Sequence, residues 1–339
     1  MKFREEVKLG AINSINWGRI LAQITYYFYS WLRVTDGTVA SGKAPPKINY
    51  AVPTGNFGDI LAGYYAKRMG LQVDRLVVCA NENDVLHRCD HHEINIAHEH
   101  IRLTVIFIFL SFRFLETGVY HKKAATLTIA PSMDISVSSN FERYLFYLAG
   151  SSSDTLKSWM DSFESTGEIK VPVELLMTAR SELASYSSSK EDIIVAMRDV
   201  FDRENYLVCP HTATAVVAVR ELGLQSSRTV ILATAHPAKF EEAVELALVE
   251  GRVTPPRPKI LNDLFVMPTR YSHLPNSLAE IEKFVRSKIS SLKKKTESVS
   301  SSVPVPESAS SSFNVALSSV FTTVAFIGLI YAFSIRRGR

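Results

Sequence analysis

The sequence has few cysteines. Three occur among 339 residues, Cys79, Cys89 and Cys209, and they lack the paired spacing of a zinc site. An odd number without such spacing argues against a disulfide framework and is typical of a protein from a reducing compartment.

The sequence also lacks a strong excess of either charge. The formal net charge is +4, and the densest basic run, Lys293–Lys295, adjoins a polar stretch. A solvated helix end explains that run better than a nucleic-acid-binding surface does. The first eight residues are charged and carry no apolar signal-peptide core. We therefore expect no nucleic-acid partner and a globular part in the cytoplasm.

The sequence contains enough apolar residues to form a core, and its C-terminal end has an unusual composition. Hydrophobic residues make up 46% of the chain, which suffices for one or two domains. Residues 293–312 are polar and Ser-rich and are predicted to form a linker. Residues 313–335 then run without a charge to a group of arginines. About 20 such residues can cross a bilayer, so this run predicts a single-pass C-terminal membrane anchor.

A glycine-bracketed loop is the most informative local feature. The apolar run 48–52 is followed by Gly55 and Gly58 and then by a helical pattern that begins at Asp59. A strand that turns into a helix start leaves backbone N–H groups unpaired and aimed at one point, which favours an anion. Glycines let the backbone approach that anion closely. A plain turn between a strand and a helix remains an alternative, because the glycine pattern alone is weak.

Short apolar runs alternate with helical patterns along the chain. The predicted strands are 48–52, 76–80, 206–209 and 229–234. The first predicted helix begins near Trp17 and stops at Asp36–Gly37, and the other predicted helices cover 59–69, 141–148, 211–222 and 239–249. Alternation of this kind predicts an α/β fold with a parallel sheet covered on both faces. Ligands then bind at the carboxyl ends of the strands.

Six blocks follow one another in a recognisable order: Asn13–Gln23, Pro53–Asp59, Asn81–Asp84, Ala130–Ile135 with Ser138–Arg143, Pro210–Ala213 and Thr234–Phe240. Together they resemble threonine synthase, most closely the fungal and bacterial type. The resemblance covers residues 11 to about 288. It implies the tryptophan-synthase-β-like fold of type II pyridoxal-phosphate enzymes, with pyridoxal 5′-phosphate as cofactor. The implied reaction converts O-phospho-L-homoserine and water to L-threonine and phosphate.

The resemblance also implies roles for particular residues. The matches to the family's cofactor-binding positions are Gly55, Asn56, Phe57, Asp59 and Thr234. The positions beside the first predicted helix that would receive the substrate phosphate are Asn13, Ser14, Asn16 and Arg19. Two alternatives stay open. In one, the four positions beside the first helix form only a capped helix start with a solvated arginine. In the other, the hydroxyl of Thr234 bonds only to the backbone.

The chain departs from the family pattern in several places. The part of the family that carries the Schiff-base lysine lies upstream of the resemblance, so we expect this chain alone to lack normal turnover. Residues 90–114 resemble an insertion, whose histidines and glutamates are better explained as a solvated stretch than as a metal site. The expected layout is a helix of the smaller domain over 1–45 and a cofactor-binding domain over 46–292. The linker and the membrane helix follow.

One alternative function belongs to a different class. A membrane-anchored, catalytically inactive fragment or pseudoenzyme would keep a phosphate pocket without the chemistry. The missing lysine favours that alternative for the chain alone, whereas the six blocks favour the enzyme.

Overall fold

The computed structural model describes residues 2–8, 10, 13–83, 113–122, 124–248, 255–269 and 271–300. The chain forms two compact units, one over Ala11–Pro268 and the other combining the first ten residues with the segment from Thr269 onward. The strands are β1 Ile48–Pro53, β2 Val73–Ala80, β3 Val119–His121, β4 Glu168–Lys170, β5 Leu183–Ser187 and β6 Thr229–Ile231. The helices are α1 Lys2–Val7, α2 Trp17–Ala40, α3 Gly58–Arg68, α4 Arg113–Thr117, α5 Phe141–Leu148, α6 Ser153–Thr166, α7 Val173–Glu182, α8 Lys190–Glu204, α9 Pro210–Glu221, α10 Glu241–Ala247, α11 Lys259–Phe265 and α12 Leu278–Ser300.

A parallel sheet organises the larger unit. Its strand order is β5-β2-β1-β6, and every neighbouring pair is parallel. A separate antiparallel pair joins β3 to β4. All six residues of β1 are buried, because a central parallel strand is covered on both faces. The predicted α/β class and the parallel sheet are confirmed.

Alternate residues of the central strands enter two different cores. Tyr50 and Val52 of β1 point into a large cluster with residues of α2 and α3. Ala51 between them packs in a second cluster with Ala215 and Ala218 of α9. Side chains of a strand alternate between faces, so α2 and α3 cover one face of the sheet and α9 covers the other. This arrangement brings the carboxyl ends of β1 and β6 together at one exposed edge.

Several predicted elements have different bounds in the structure. Strand β2 begins at Val73 instead of residue 76, and α10 spans Glu241–Ala247 instead of 239–249. Residues 206–209 do not form a strand; Val208 is buried beside α8 and α9 without pairing to the sheet. The first helix runs to Ala40, past the predicted stop at Asp36–Gly37, and its face packs on α3. Strand β6 ends at Ile231, three residues before the predicted end.

The smaller unit is built on α12. Arg286 of this helix forms an ion pair with Glu6 of α1. Its guanidinium group also lies 4.9 Å from the ring centre of Phe3. These contacts join the first helix to the last described one.

The predicted membrane anchor is corrected. Among the residues with described positions, no helix is both long and apolar enough to cross a membrane. The two longest, α2 and α12, carry charges such as Arg33 and Lys288, each costing about 3 kcal/mol at the centre of a bilayer. Residues 313–335, on which the prediction rests, lie outside the described residues. The transmembrane helix is therefore removed from the fold class, and the predicted membrane location and membrane partner are removed with it.

We expect Gly63→Ala to destabilise the larger unit. A Cβ at this position in α3 would lie 2.6 Å from Cε1 of Tyr27 and 2.9 Å from Cδ2 of Leu76, and both neighbours are fully buried. Overpacking of this kind costs about 1–3 kcal/mol, which exceeds the gain of about 1 kcal/mol in helix propensity. Urea denaturation would measure the loss. Gly10→Ala, with nothing within 4 Å of the added Cβ, is the control, and an unchanged or raised midpoint for Gly63→Ala would contradict this packing.

Candidate functional site

The loop after β1 turns sharply into α3. Phe57, the residue before the helix, has a φ of 61°, in the left-handed region, and no side chain caps the helix start. Its buried ring lies edge-on to Phe141, with ring centres 5.1 Å apart, and this packing holds the residue in its costly conformation. The first N–H groups of α3 have no acceptor within the helix. Together with the helix dipole they form a place for an anion.

The two glycines of this loop are required by neighbouring groups of the protein. A Cβ on Gly55 would lie 2.7 Å from the carbonyl oxygen of Ser132, which is a clash with backbone. A Cβ on Gly58 would lie 3.3 Å from Nδ2 of Asn140. The loop is therefore packed closely between two other segments. This packing is a second reason for glycine at these positions, beside the close approach of an anion inferred from the sequence.

Asp59 faces helix α2. Its Oδ1 accepts hydrogen bonds from the phenols of Tyr26 at 2.5 Å and Tyr27 at 3.0 Å. The Tyr27 phenol also donates to the Asp59 carbonyl at 2.9 Å. Burial raises the pKa of the Asp59 carboxyl, and the two phenols lower it. Because the carboxylate is engaged with α2, the backbone N–H is the group through which Asp59 can serve an anion at the helix start.

The turn before α2 carries the residues predicted for the substrate phosphate. Oδ1 of Asn13 accepts from the N–H of Ile15 at 3.2 Å, and Oδ1 of Asn16 accepts from the N–H of Gly18 at 2.9 Å. Asn16 therefore caps the helix, as predicted. These two side chains shape the turn, whereas Ser14 and Arg19 line a cavity.

The predicted site residues line two cavities at this edge of the sheet. The smaller has a volume of about 170 Å³ and lies between the turn before α2 and the loop after β1, with Ser14, Arg19, Gly55, Asn56, Phe57 and Asp59 in its lining. The larger has a volume of about 640 Å³ and extends to Thr234. Arg19, Gly55 and Asp59 line both. The structure thus brings seven of the nine predicted site residues to one place and leaves Asn13 and Asn16 out of the linings.

Thr234 lies just beyond β6. The N–H of Leu232 donates to the carbonyl of Ala51 at 3.0 Å, which holds the end of β6 beside β1. Three residues after Ile231 the chain has left the sheet, and Thr234 lines the wall of the larger cavity in an exposed position. Thr234 therefore borders the same cavity as Gly55 and Asp59.

The structure adds residues to the site that sequence reasoning did not select. Beside those already named, the larger cavity is lined by Gln23, Tyr26, Ser132, His211 and Lys239. Four of these belong to the sequence blocks, which marked the segments around them without indicating what the side chains do. Gln23 closes the first block, and Tyr26 lies in the helical pattern, where nothing distinguished it from a surface residue.

His211 joins two of these segments. Its Nε2 accepts the N–H of Ser132 at 3.0 Å, so the neutral ring carries its proton on Nδ1. The pKa of His211 is lowered to about 4, chiefly because the ring is buried; Asp134 and the Ala130 carbonyl oppose this shift, and the positive charge of Lys239 adds to it. At neutral pH the imidazole is uncharged and acts as a hydrogen-bond acceptor for the Ser132 segment.

The histidine-rich stretch considered as a metal site lies outside the described residues. Phe114, at the end of the suggested insertion, is described; it is fully buried and its ring centre lies 5.1 Å from that of Phe141.

The chain is similar to proteins of one family along most of its length. Residues 212–285 match the family model described as threonine synthase, C-terminal. The threonine synthase of Schizosaccharomyces pombe is 40% identical over 277 residues, which cover 73% of this chain and 47% of that protein. The threonine synthase of Pseudomonas aeruginosa is 38% identical over 84% of this chain and 53% of its own length.

Solved structures give the same result. The pyridoxal-phosphate-bound threonine synthase from Brucella melitensis superposes with a TM-score of 0.68 at 34% identity, over 85% of this chain and 54% of that one. The yeast threonine synthase superposes with a TM-score of 0.68 at 32% identity, over 84% and 54%. The chain spans about half the length of the relatives it matches. Its sequence and its fold show that it belongs to the threonine synthase family.

Proposed function

We propose that this chain forms the part of a threonine synthase that holds the phosphate groups of cofactor and substrate. Within the complete catalytic unit it would convert O-phospho-L-homoserine and water to L-threonine and phosphate, with pyridoxal 5′-phosphate as cofactor. The observation that carries the proposal is the joining of the α3 loop, the turn before α2 and Thr234 around connected cavities. On this proposal the cofactor-binding domain predicted over residues 46–292 corresponds mainly to the larger unit, which also includes α2 and ends at Pro268, and residues 90–114 form an insertion in it.

The residues present fit a phosphorylated pyridine cofactor. The start of α3 offers unpaired N–H groups and the positive end of a helix dipole, and no side chain caps that start. Gly55 and Asn56 border the same space. The Asp59 carboxylate, which would otherwise oppose an anion, is held by two phenols of α2. The cofactor phosphate would lie at this helix start.

The far end of the larger cavity suits the cofactor ring. Thr234 would present a neutral hydroxyl to the ring nitrogen. Such a group exchanges a hydrogen bond with the nitrogen but does not hold it protonated as a carboxylate would. When bound, pyridoxal phosphate supplies an electron sink for carbanion chemistry. The contribution of Thr234 would be to orient the ring and to moderate that sink.

The second phosphate would be bound from the α2 side. Arg19 lies on the first turn of α2 and lines both cavities, and a guanidinium group can grip a phosphate with two parallel hydrogen bonds. Ser14 adds a hydroxyl from the turn before the helix. Asn13 and Asn16 would act by shaping that turn. The opposite wall is held by neutral His211, which fixes the Ser132 segment.

A chimera tests this function. It places the part of the Schizosaccharomyces pombe threonine synthase that this chain does not cover ahead of this chain, with and without residues 90–114. We expect the chimera to show cofactor absorbance and to release phosphate from O-phospho-L-homoserine. An Arg19→Ala version should keep the absorbance and lose most of the release. A folded, cofactor-loaded chimera that releases no phosphate in either form would refute the proposal.

Gly55→Ala should weaken binding of pyridoxal phosphate by the chain at least tenfold. The Cβ would clash with the Ser132 carbonyl and shift the loop that carries the helix start, and a tenfold loss corresponds to about 1.4 kcal/mol. Absorbance titration at a temperature where both variants are folded would measure it. Gly10→Ala is the control, since nothing lies within 4 Å of the added Cβ and Gly10 lines neither cavity. Equal affinities for the two variants would disprove the role given to the loop.

Stability should fall as the pH drops from about 6.5 to 4. Over that range an unfolded histidine, with a pKa near 6.5, binds a proton that folded His211, with a pKa of about 4, does not. The difference is up to about 3 kcal/mol and is fully present as stability above pH 6.5. His211→Gln retains an acceptor without titrating, so its stability should fall less across the same range in urea denaturation. Identical slopes for the two proteins would show that His211 is not held neutral.

A further inference from the structure

The segment Ser138–Arg143 lies behind both loops of the proposed phosphate site. Its central residue, Asn140, has no exposed surface. The Nδ2 group of Asn140 donates to the carbonyl of Ser14 at 3.0 Å and to the carbonyl of Asn56 at 2.9 Å. One buried amide therefore bonds to the turn before α2 and to the loop after β1, two segments about 40 residues apart in sequence.

The acceptor side of the same amide is also engaged. Oδ1 of Asn140 accepts from Nη1 of Arg143 at 2.6 Å, and Nη2 of Arg143 donates to the carbonyl of Ile15 at 2.8 Å. The guanidinium group orients the amide, because Oδ1 faces it while Nδ2 faces the two loops. Arg143 also adds a second bond to the turn before α2.

Further groups of the segment also bond to the loop after β1. The N–H of Asn140 donates to the carbonyl of Asn56 at 3.1 Å, and Oγ of Ser138 donates to the carbonyl of Gly55 at 2.7 Å. Oγ of Ser139 lies 3.3 Å from Oδ1 of Asn56. The segment is therefore bonded more heavily to this loop, and Asn140 with Arg143 extends the connection to the other.

The two loops face each other across the smaller cavity, whose lining includes Ser14 and Arg19 from one and Gly55 to Asp59 from the other. Their separation determines whether both can reach the same bound molecule. We propose that Asn140, oriented by Arg143, is a positioning residue that fixes the turn before α2 against the loop after β1. It acts on the anion groups of both loops at once and touches neither phosphate itself. The assignment of phosphate as the ligand rests on the proposed function; the connection between the loops does not.

Hydrogen exchange of the intact chain tests the connection without any ligand. Asn140→Ala should raise amide exchange at least tenfold in peptides covering residues 13–20 and 55–61 and leave α8 and α9 unchanged. Arg143→Ala should raise it more in 13–20 than in 55–61, because, of the two loops, Arg143 itself bonds only to the turn before α2. The matched control is Asn49→Ala, which removes another buried asparagine, in β1, whose Oδ1 has no hydrogen-bond partner among the described residues. If Asn140→Ala exchanges faster evenly over the whole unit, or is unchanged in either loop, the connection is refuted.

A second variant covers the case in which Asn140→Ala does not fold. Asn140→Asp keeps the acceptor toward Arg143 and replaces the donor to Ser14 and Asn56 by a carboxylate oxygen, which the two carbonyls repel. It should give the same local increase in exchange at both loops. Protection retained at both loops in this variant would equally overturn the proposal.

Titration with inorganic phosphate separates positioning from general stability. Arg19→Ala should weaken phosphate binding about tenfold in the otherwise unchanged chain, but at most twofold in the Asn140→Asp background, because the released turn no longer presents Arg19 to the loop. An unchanged tenfold factor in both backgrounds would show that Asn140 has only a structural role. If the unchanged chain binds neither phosphate nor pyridoxal phosphate, the proposed function fails, and hydrogen exchange still decides whether Asn140 connects the loops.

Discussion

The Asp59 carboxylate joins the two helices on which the site depends. It lies on the first turn of α3 and accepts hydrogen bonds from two consecutive phenols of α2. Tyr27 is fully buried and also contacts Tyr50 of the central strand, with ring centres 4.8 Å apart. The register between the helices is therefore fixed through the core. Without that register, Arg19 at the start of α2 would not lie beside the loop after β1, and the two cavities would not share a wall.

The same contact resolves an electrostatic conflict. An acidic side chain on the first turn of a helix is favoured by the helix dipole but would repel a phosphate bound at that end. The hydrogen bonds from the two phenols satisfy Oδ1 of Asp59 and hold the negative charge of the carboxylate toward α2. The N–H groups of the helix start then face the cavity together with Arg19 and Lys239. Because His211 on the opposite wall is neutral, the positive charges in the lining of the larger cavity are those of Arg19 and Lys239.

Local sequence patterns predicted the elements around the site, but they could not predict contacts between residues that are far apart in the sequence. The loop between β1 and α3, the Asn16 cap and the parallel sheet follow from glycines, capping and apolar runs. Strand β5 was missed because an edge strand with the sequence Leu-Ala-Ser-Tyr-Ser carries few apolar residues. The bond between Ser132 and His211 spans 79 residues, and no local pattern encodes it. Likewise, the blocks of the family resemblance named Asn140 and His211 without indicating what their side chains contact.

We propose that one edge of the sheet holds a phosphorylated pyridine cofactor between α3 and Thr234. A crystal structure of the intact chain with pyridoxal phosphate is the most direct test. We predict phosphate oxygens within about 3 Å of the first N–H groups of α3 and the ring nitrogen beside the Thr234 hydroxyl. A cofactor bound with its phosphate away from the helix start, or with Thr234 out of reach of the ring, would contradict this proposal.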